Sequence, residues 1–141
     1  MIKSFKQFVA ETFDSSHVFR DRGPNSTNTQ HKYAFDHGDD TIHVTFTHHP
    51  DNDTNVSFTN KYGHYDASND KGPGAVKVFS TVHKIMQHHA AKYPKTSNYS
   101  FNGQTGSRTK LYDKLVNKIG GTTEPFESMK RYNIGAEKLR K

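Results

Sequence analysis

The hydrophobic positions in the middle of the chain alternate with polar ones, which is the period of a half-buried strand. In Ile42–Thr47 the apolar side chains Ile42, Val44 and Phe46 are separated by His and Thr, and 55–60 repeats the alternation with Val56 and Phe58. The turn-like 49–53 segment separates these two strands. An edge strand around Tyr33 and Phe35 and a short strand around 62–65 would complete an antiparallel meander.

Three other segments have apolar residues at steps of three and four, which predicts helices. The first is 75–92, which ends before Pro94. The second begins at Ser107, its capping residue, and stops at Gly120-Gly121. The third is an N-terminal segment that contains Phe5 and Phe8. Tyr99 and Phe101 mark one more strand between the first two of these helices.

The order of elements predicts an α+β fold, in which an antiparallel sheet of about four strands carries two basic helices on one face. An amphipathic helix at the N-terminus precedes this core. The predicted boundaries are an N-terminal targeting helix at 1–13, a linker at 14–32, the core domain at 33–121 and a C-terminal tail at 122–141. The linker contains Gly23-Pro24 and a Ser/Thr/Asn cluster, both of which are typical of loops.

Composition changes this picture in two ways. Only 30% of the residues are hydrophobic, yet ten Phe and seven Tyr provide large side chains, so we expect a small aromatic core beneath a polar surface. Charge is uneven, because residues 1–75 have 7 Lys/Arg against 10 Asp/Glu, whereas residues 76–141 have 13 against 4. A basic C-terminal half would attract polyanions such as DNA or RNA.

Several classes of function lack the residues they need. The chain has no cysteine, which excludes disulfides and thiolate metal sites, and no apolar run approaches the roughly 20 residues that cross a bilayer. The N-terminus lacks the continuous apolar stretch of a secretory signal. Its ten histidines are not spaced as metal ligands, so no metal site is predicted.

Catalytic patterns are also incomplete. His43-Val44-Thr45 matches half of the two-histidine phosphodiesterase motif, which needs a second copy to supply both acid and base. No serine occupies a nucleophile elbow. We therefore assign no catalytic residue from the sequence, and a non-enzymatic role is favoured.

Asn69-Asp70-Lys71-Gly72-Pro73-Gly74-Ala75 lies between a predicted strand and a predicted helix. This segment resembles the pyrophosphate loop of the GNAT acyltransferases, in which Gln or Arg precedes x-x-Gly-x-Gly/Ala. The resemblance makes a GNAT-like fold possible and implies acetyl-CoA as cofactor, held by Gly72, Gly74, Ala75 and Tyr112. The chain departs from that pattern at Asn69 and at Pro73, which has no N–H to donate.

A second resemblance covers about residues 33–120. The pattern Val-Phe-x-Thr-Val at 78–82, followed by Ser-Arg-x-Lys-Leu-Tyr at 107–112, is similar to a family of small uncharacterised tailed-phage proteins. The last predicted helix would then present a cationic strip able to bind phosphates or nucleic acid. Its residues are Arg108, Lys110, Lys114 and Lys118.

The opening residues MIKSFKQFVAETF resemble the capsid-targeting sequence of T-even phage internal head proteins. That resemblance implies cleavage between Glu11 and Thr12 by a prohead protease. It also implies packaging in the virion beside phage DNA or prohead scaffold, and ejection into the host cytoplasm. The leading hypothesis is thus a packaged protein that binds a host protein or nucleic acid, with a role against host defence, and has no membrane partner. The alternative is a GNAT-like acyltransferase that uses acetyl-CoA.

Overall fold

The computed structural model describes residues 16–59, 73–104, 113, 116–126 and 129–140. Within them lie seven strands and two helices, together with a helical turn at 116–118. The strands are β1 (Phe19–Pro24), β2 (Gln30–His37), β3 (Asp40–His48), β4 (Asp53–Thr59), β5 (Asn98–Gln104), β6 (Thr122–Phe126) and β7 (Met129–Gly135). The helices are α1 (Pro73–Lys92) and α2 (Ala136–Leu139).

All seven strands form one mixed sheet in the order β1-β2-β3-β4-β5-β7-β6. The prediction of an antiparallel sheet of about four strands with two basic helices on one face is therefore wrong. The strands that the pattern did not predict are β1, β6 and β7, from 19–24, 122–126 and 129–135. β1 and β6 are edge strands rich in polar residues, so they lack the alternation that marked β3 and β4.

Neighbouring strands run antiparallel except β4 and β5, which run parallel. Parallel strands need a crossover, and α1 supplies it here. Its predicted span of 75–92 is confirmed to within two residues. The strands predicted at 42–47 and 55–60 and around Tyr99 are confirmed as β3, β4 and β5. The strand predicted around 62–65 lies outside the described residues.

One face of the sheet, the covered face, holds the aromatic core beneath α1. The side chains of Tyr33, Phe35 and Phe46 are completely buried, and Phe101 stacks on Tyr132 at 5.0 Å between ring centroids. Apolar residues of α1, Val82, Ile85 and Met86 among them, complete the same hydrophobic cluster. An aromatic core under a polar surface, expected from the composition, is confirmed.

The opposite face, the open face, is built from the alternate residues of the same strands and is polar. On β2 and β3, Lys32, Asp36 and His43 are exposed, while their neighbours Tyr33 and Val44 are buried. The period of two therefore separates a covered face from an open one along the meander.

A chain of hydrogen bonds passes through the core from β5 to β3. Tyr99 Oη lies 2.6 Å from His89 Nδ1, His89 Nε2 lies 2.9 Å from His48 Nε2, and His48 Nδ1 lies 3.2 Å from the carbonyl oxygen of Asn28. That carbonyl can only accept, so His48 Nδ1 carries a hydrogen. The arrangement that fits both distances has His89 donating through Nε2 to His48 and accepting a hydrogen bond from the Tyr99 hydroxyl at Nδ1.

A second chain joins β1 to the end of α1. His31, which is completely buried, has Nε2 2.6 Å from Asp21 Oδ1 and Nδ1 2.7 Å from Tyr93 Oη. Burial would raise the pKa of Asp21, but hydrogen bonds from His31, the Gly23 N–H and Lys92 hold it well below its usual range. These bonds satisfy the polar groups of a buried imidazole, which would otherwise destabilise the core.

The ends of the helical segments have specific partners. Arg140 donates to the carbonyl oxygen of Ala90, in the last turn of α1, where carbonyls have no helical partner. It also donates to the carbonyl oxygens of Tyr93 and Thr96 in the connection that follows. Gly120 has a positive φ of 86° directly after the 116–118 turn, and Gly121 N donates to Val116 O. The helix stop predicted at Gly120-Gly121 is confirmed.

The buried histidines predict a loss of stability in mild acid. Burial lowers the pKa of His89 to about 3 and that of His83 to about 4. Because unfolded histidine takes up a proton near pH 6.5, the unfolded chain binds more protons below that pH. The free energy of unfolding should be greatest above pH 6.5 and fall as the pH decreases toward 4, as measured by urea unfolding.

The variant His89→Gln isolates one of these groups. Near pH 5 the variant should take up one proton fewer on unfolding than the parent chain. Its free energy of unfolding should therefore change with pH less steeply, by about 1.4 kcal/mol per pH unit. His43→Gln, at an exposed position on β3, is the matched control for the exchange of histidine for glutamine. Equal slopes for the parent and His89→Gln would contradict a neutral buried His89.

Candidate ligand site between β4, β5 and β7

The parallel contact between β4 and β5 is short. It covers only three residue pairs, which join Asp53–Asn55 to Asn98–Ser100. Beyond them β4 continues to Thr59 paired with β3, and β5 continues to Gln104 paired with β7. The facing edges of the two strands thus have no ladder with each other toward their carboxyl ends, and this unpaired stretch, 56–59 of β4 and 101–104 of β5, is named the opening.

The first turn of α1 lies toward the same end of these strands. A helix of 20 residues is about 30 Å long, and α1 ends only a short connection before β5 begins. Phe79, in the second turn of α1, lies 6.0 Å from Phe101 of β5 between ring centroids, so the start of the helix lies toward the carboxyl ends of these strands. Gly74 and Ala75 belong to this first turn, where N–H groups have no acceptor within the helix. Pro73 is the first helical residue, a position whose N–H a helix does not use.

On the open face, a polar cleft of about 530 Å³ lies beside the closed end of the same opening. The β3–β4 turn, β4, β5 and β7 contribute its lining. These residues are His49, Pro50, Asp51, Asp53, Asn55, Ser100 and Arg131. Its volume is in the range of clefts that bind small molecules.

Asp53 joins three strands across the floor of the cleft. Its Oδ1 accepts from Asn98 Nδ2 at 2.9 Å and its Oδ2 accepts from Arg131 Nη2 at 3.0 Å. Arg131 Nε also lies 3.7 Å from Glu124 Oε1, and Asn133 donates to that same oxygen. This network holds β4 against β5 and β7 where only three backbone pairs do so.

The β3–β4 turn places the remaining polar groups. Its backbone is closed by a bond from His49 N to Asp53 O, and Asn52 adopts a positive φ of 66°. Asp51 Oδ1 accepts from Asp53 N at 3.1 Å, so its carboxylate is oriented by the turn. Asn and Asp are the residues that best tolerate such turns, which explains the sequence Asp51-Asn52-Asp53.

The cleft is acidic in a basic protein. Two carboxylates, Asp51 and Asp53, line it together with one permanent cation, Arg131, and Glu124 lies beside that cation. The whole chain has a formal charge of +6. The local field therefore favours a cationic ligand, although the protein as a whole attracts anions.

The structure places few of the residues that the sequence analysis selected. Lys118 is exposed in the 116–118 turn, and Gly74 and Ala75 lie in the first turn of α1. The others lie outside the described residues: Glu11, Thr12, Gly72, Arg108, Lys110, Tyr112 and Lys114. The cationic strip and the cleavage site therefore stay predictions.

Sequence reasoning missed Asp53, Asn98 and Arg131, which form the floor of the cleft. The alternation along β4 places Asp53 and Asn55 on the face opposite Val56, and this signal could have marked them as open-face residues. Arg131 had a similar but shorter signal, because Tyr132 and Ile134 alternate with Arg131 and Asn133, within the segment predicted as a C-terminal tail.

Within the residues that the structure describes, no group of three or more His, Asp or Glu side chains is arranged to hold a metal ion. A search of those same residues for a helix with the length and hydropathy to cross a lipid bilayer also finds none. Comparison of the chain with protein-family models and with curated proteins finds no match to either.

The Asp53–Arg131 pair should contribute measurably to stability. Arg131→Met leaves the carboxylate, whose side chain is only 19% exposed, without its cation. The free energy of unfolding should fall by about 1–3 kcal/mol in urea unfolding. Arg22→Met, at an exposed position of β1, is the control and should cost less than about 0.5 kcal/mol.

A double-mutant cycle separates the pair from its surroundings. Asp53→Asn combined with Arg131→Met should destabilise the chain by less than the two single substitutions added together, with a coupling of about 0.5–3 kcal/mol. Strict additivity would show that the two side chains act independently.

Proposed function

We propose that this chain is an acyltransferase that binds acetyl-CoA at the carboxyl ends of β4 and β5. The observation that carries the proposal is the interrupted parallel pair, with the first turn of α1 at its open end. In sheets with parallel strands, ligands bind outside the carboxyl ends of strands where the topology changes. The β4–α1–β5 crossover is such a place in this sheet.

The residues present fit the parts of acetyl-CoA. The N–H groups of Gly74 and Ala75 would bind its pyrophosphate, since a helix N-terminus favours anions. The extended, amide-containing arm would lie in the opening, where strand edges offer unpaired backbone groups. When bound, the thioester supplies an activated acyl group. Pro73 departs from the GNAT pattern and has no backbone N–H. At the first helical position a helix does not use that N–H, so no helical hydrogen bond is lost.

The phage assignment remains a separate prediction. Its evidence is the resemblance at 1–11 and the pattern at 78–82 and 107–112. Of these segments only 78–82, in α1, lies within the described residues. Packaging and host binding are compatible with an acyltransferase, because an ejected protein can also be an enzyme. Mass spectrometry of purified virions should detect a peptide that begins at Thr12, and an intact Met1 form confined to infected cells would contradict packaging.

Calorimetric titration of the full chain with acetyl-CoA tests the proposed function. We expect saturable binding that Gly74→Glu weakens at least about tenfold, which corresponds to about 1.4 kcal/mol. A carboxylate in the first turn interacts favourably with the helix dipole, and urea unfolding of the variant shows whether lost binding reflects lost folding. Ser26→Glu adds the same charge in the exposed β1–β2 turn and should keep the parental affinity.

Two results would overturn the proposed function. One is the absence of any heat of binding at millimolar acetyl-CoA. The other is equal affinity of the parent and Gly74→Glu, since a phosphate held at the start of α1 cannot tolerate a new carboxylate there.

A further inference from the structure

We propose that the solvent-facing side of α1 binds the phosphate backbone of a nucleic-acid duplex. Three lysines and a histidine form this surface, which we name the basic ridge: Lys77, Lys84, His88 and Lys92. None of these residues belongs to the opening or lines the cleft. The inference therefore stands on its own observations and does not depend on the proposed function.

The helical period places the four residues of the ridge together. At 3.6 residues per turn they fall within an arc of about 80° around the axis of α1, and Lys84 and Lys92 lie about 12 Å apart along it. Lys84, His88 and Lys92 are exposed and Lys77 is half-buried, whereas the apolar residues of α1 are buried in the core. The cations thus form a line on the side of the helix that solvent reaches.

The sequence around the ridge contains no carboxylate. Residues 71–112 include seven Lys or Arg and no Asp or Glu. Among the described residues, Asp21 of β1 is the carboxylate that pairs with the ridge, at 3.1 Å from Lys92 Nζ and 3.6 Å from His88 Nε2. No described carboxylate pairs with Lys77 or Lys84. The ridge therefore keeps a positive charge that a polyanion can neutralise.

The residue types of the ridge favour phosphates over other anionic partners. Lysine binds phosphate as a point charge, and it is depleted at protein–protein interfaces. A helix that binds a lipid surface presents apolar side chains beside its cations. The apolar side of α1 is instead packed into the core, and Val18 is the one large hydrophobic residue that is strongly exposed in the part of the chain that the structure describes.

A duplex fits the ridge better than a single strand does. Proteins bind single strands by stacking the bases on accessible aromatic rings. The rings that contact His88 belong to Phe19, which is half-buried, and Tyr33, which is completely buried. A duplex requires only phosphates along its backbone, so binding through the ridge should depend on salt and be independent of base sequence.

Fluorescence anisotropy of the full chain with labelled DNA and RNA duplexes of about 20 base pairs tests the ridge. Between about 50 and 200 mM salt, log Kd should rise linearly with log salt concentration, with a slope of about 3 for three lysine–phosphate contacts. Lys84→Gln should raise Kd at least about threefold and lower the slope by about 1, because one contact is lost. Glutamine is also a good helix former, so the variant should keep the parental stability in urea unfolding.

Lys32→Gln is the matched control. It removes the same charge from an exposed position of β2 on the open face, and it should keep the parental slope. Equal slopes for Lys84→Gln and Lys32→Gln would overturn the inference, because net charge alone would then account for binding. Undetectable binding of both duplexes at about 50 mM salt would overturn it as well.

Two further titrations distinguish the duplex from other polyanions. Vesicles that contain phosphatidylserine, and single-stranded oligothymidine of the same length as the duplex, should both bind more weakly than the duplex. Tighter binding of either one would overturn the duplex as the partner. Two duplexes of unrelated sequence should bind with equal Kd, and a tenfold preference for one of them would contradict a site that contacts only the backbone.

Discussion

The short parallel contact between β4 and β5 is the constraint on which the rest of the molecule depends. It joins the β1–β4 meander to the β5–β7–β6 group through only three backbone pairs. Asp53 accepts hydrogen bonds from Asn98 and Arg131. These side-chain bonds on the open face stabilise the contact of β4 with β5 and β7, where the backbone ladder is short. A longer ladder would close the opening and with it the candidate donor site.

The helix that makes this parallel contact possible also covers the core. α1 packs its apolar residues on the covered face, and it adds His89, which stacks on Phe46 at 4.2 Å between ring centroids. A buried imidazole is tolerated because Tyr99 and His48 occupy both of its nitrogens. The crossover, the core and the hydrogen-bond network are therefore parts of one arrangement.

Two regions of the molecule have opposite electrostatic character. The first turn of α1 offers N–H groups to an anion, whereas the cleft on the open face has an excess of carboxylates. The local field at the cleft is therefore opposite in sign to the net charge of the chain, which is +6.

The elements that could be predicted from the amino-acid sequence are those whose buried residues repeat at a regular spacing. Ile42, Val44 and Phe46 predicted β3, and the spacing of three and four predicted α1, because each buries one side of a regular structure. Only the folded sheet shows that 129–135 is an internal strand between β5 and β6, since the short alternation of Tyr132 and Ile134 does not specify which strands pair with it. The same holds for the cleft. Arg131 lies 78 positions from Asp53 along the chain, and only the order of strands in the sheet brings the two side chains within 3.0 Å.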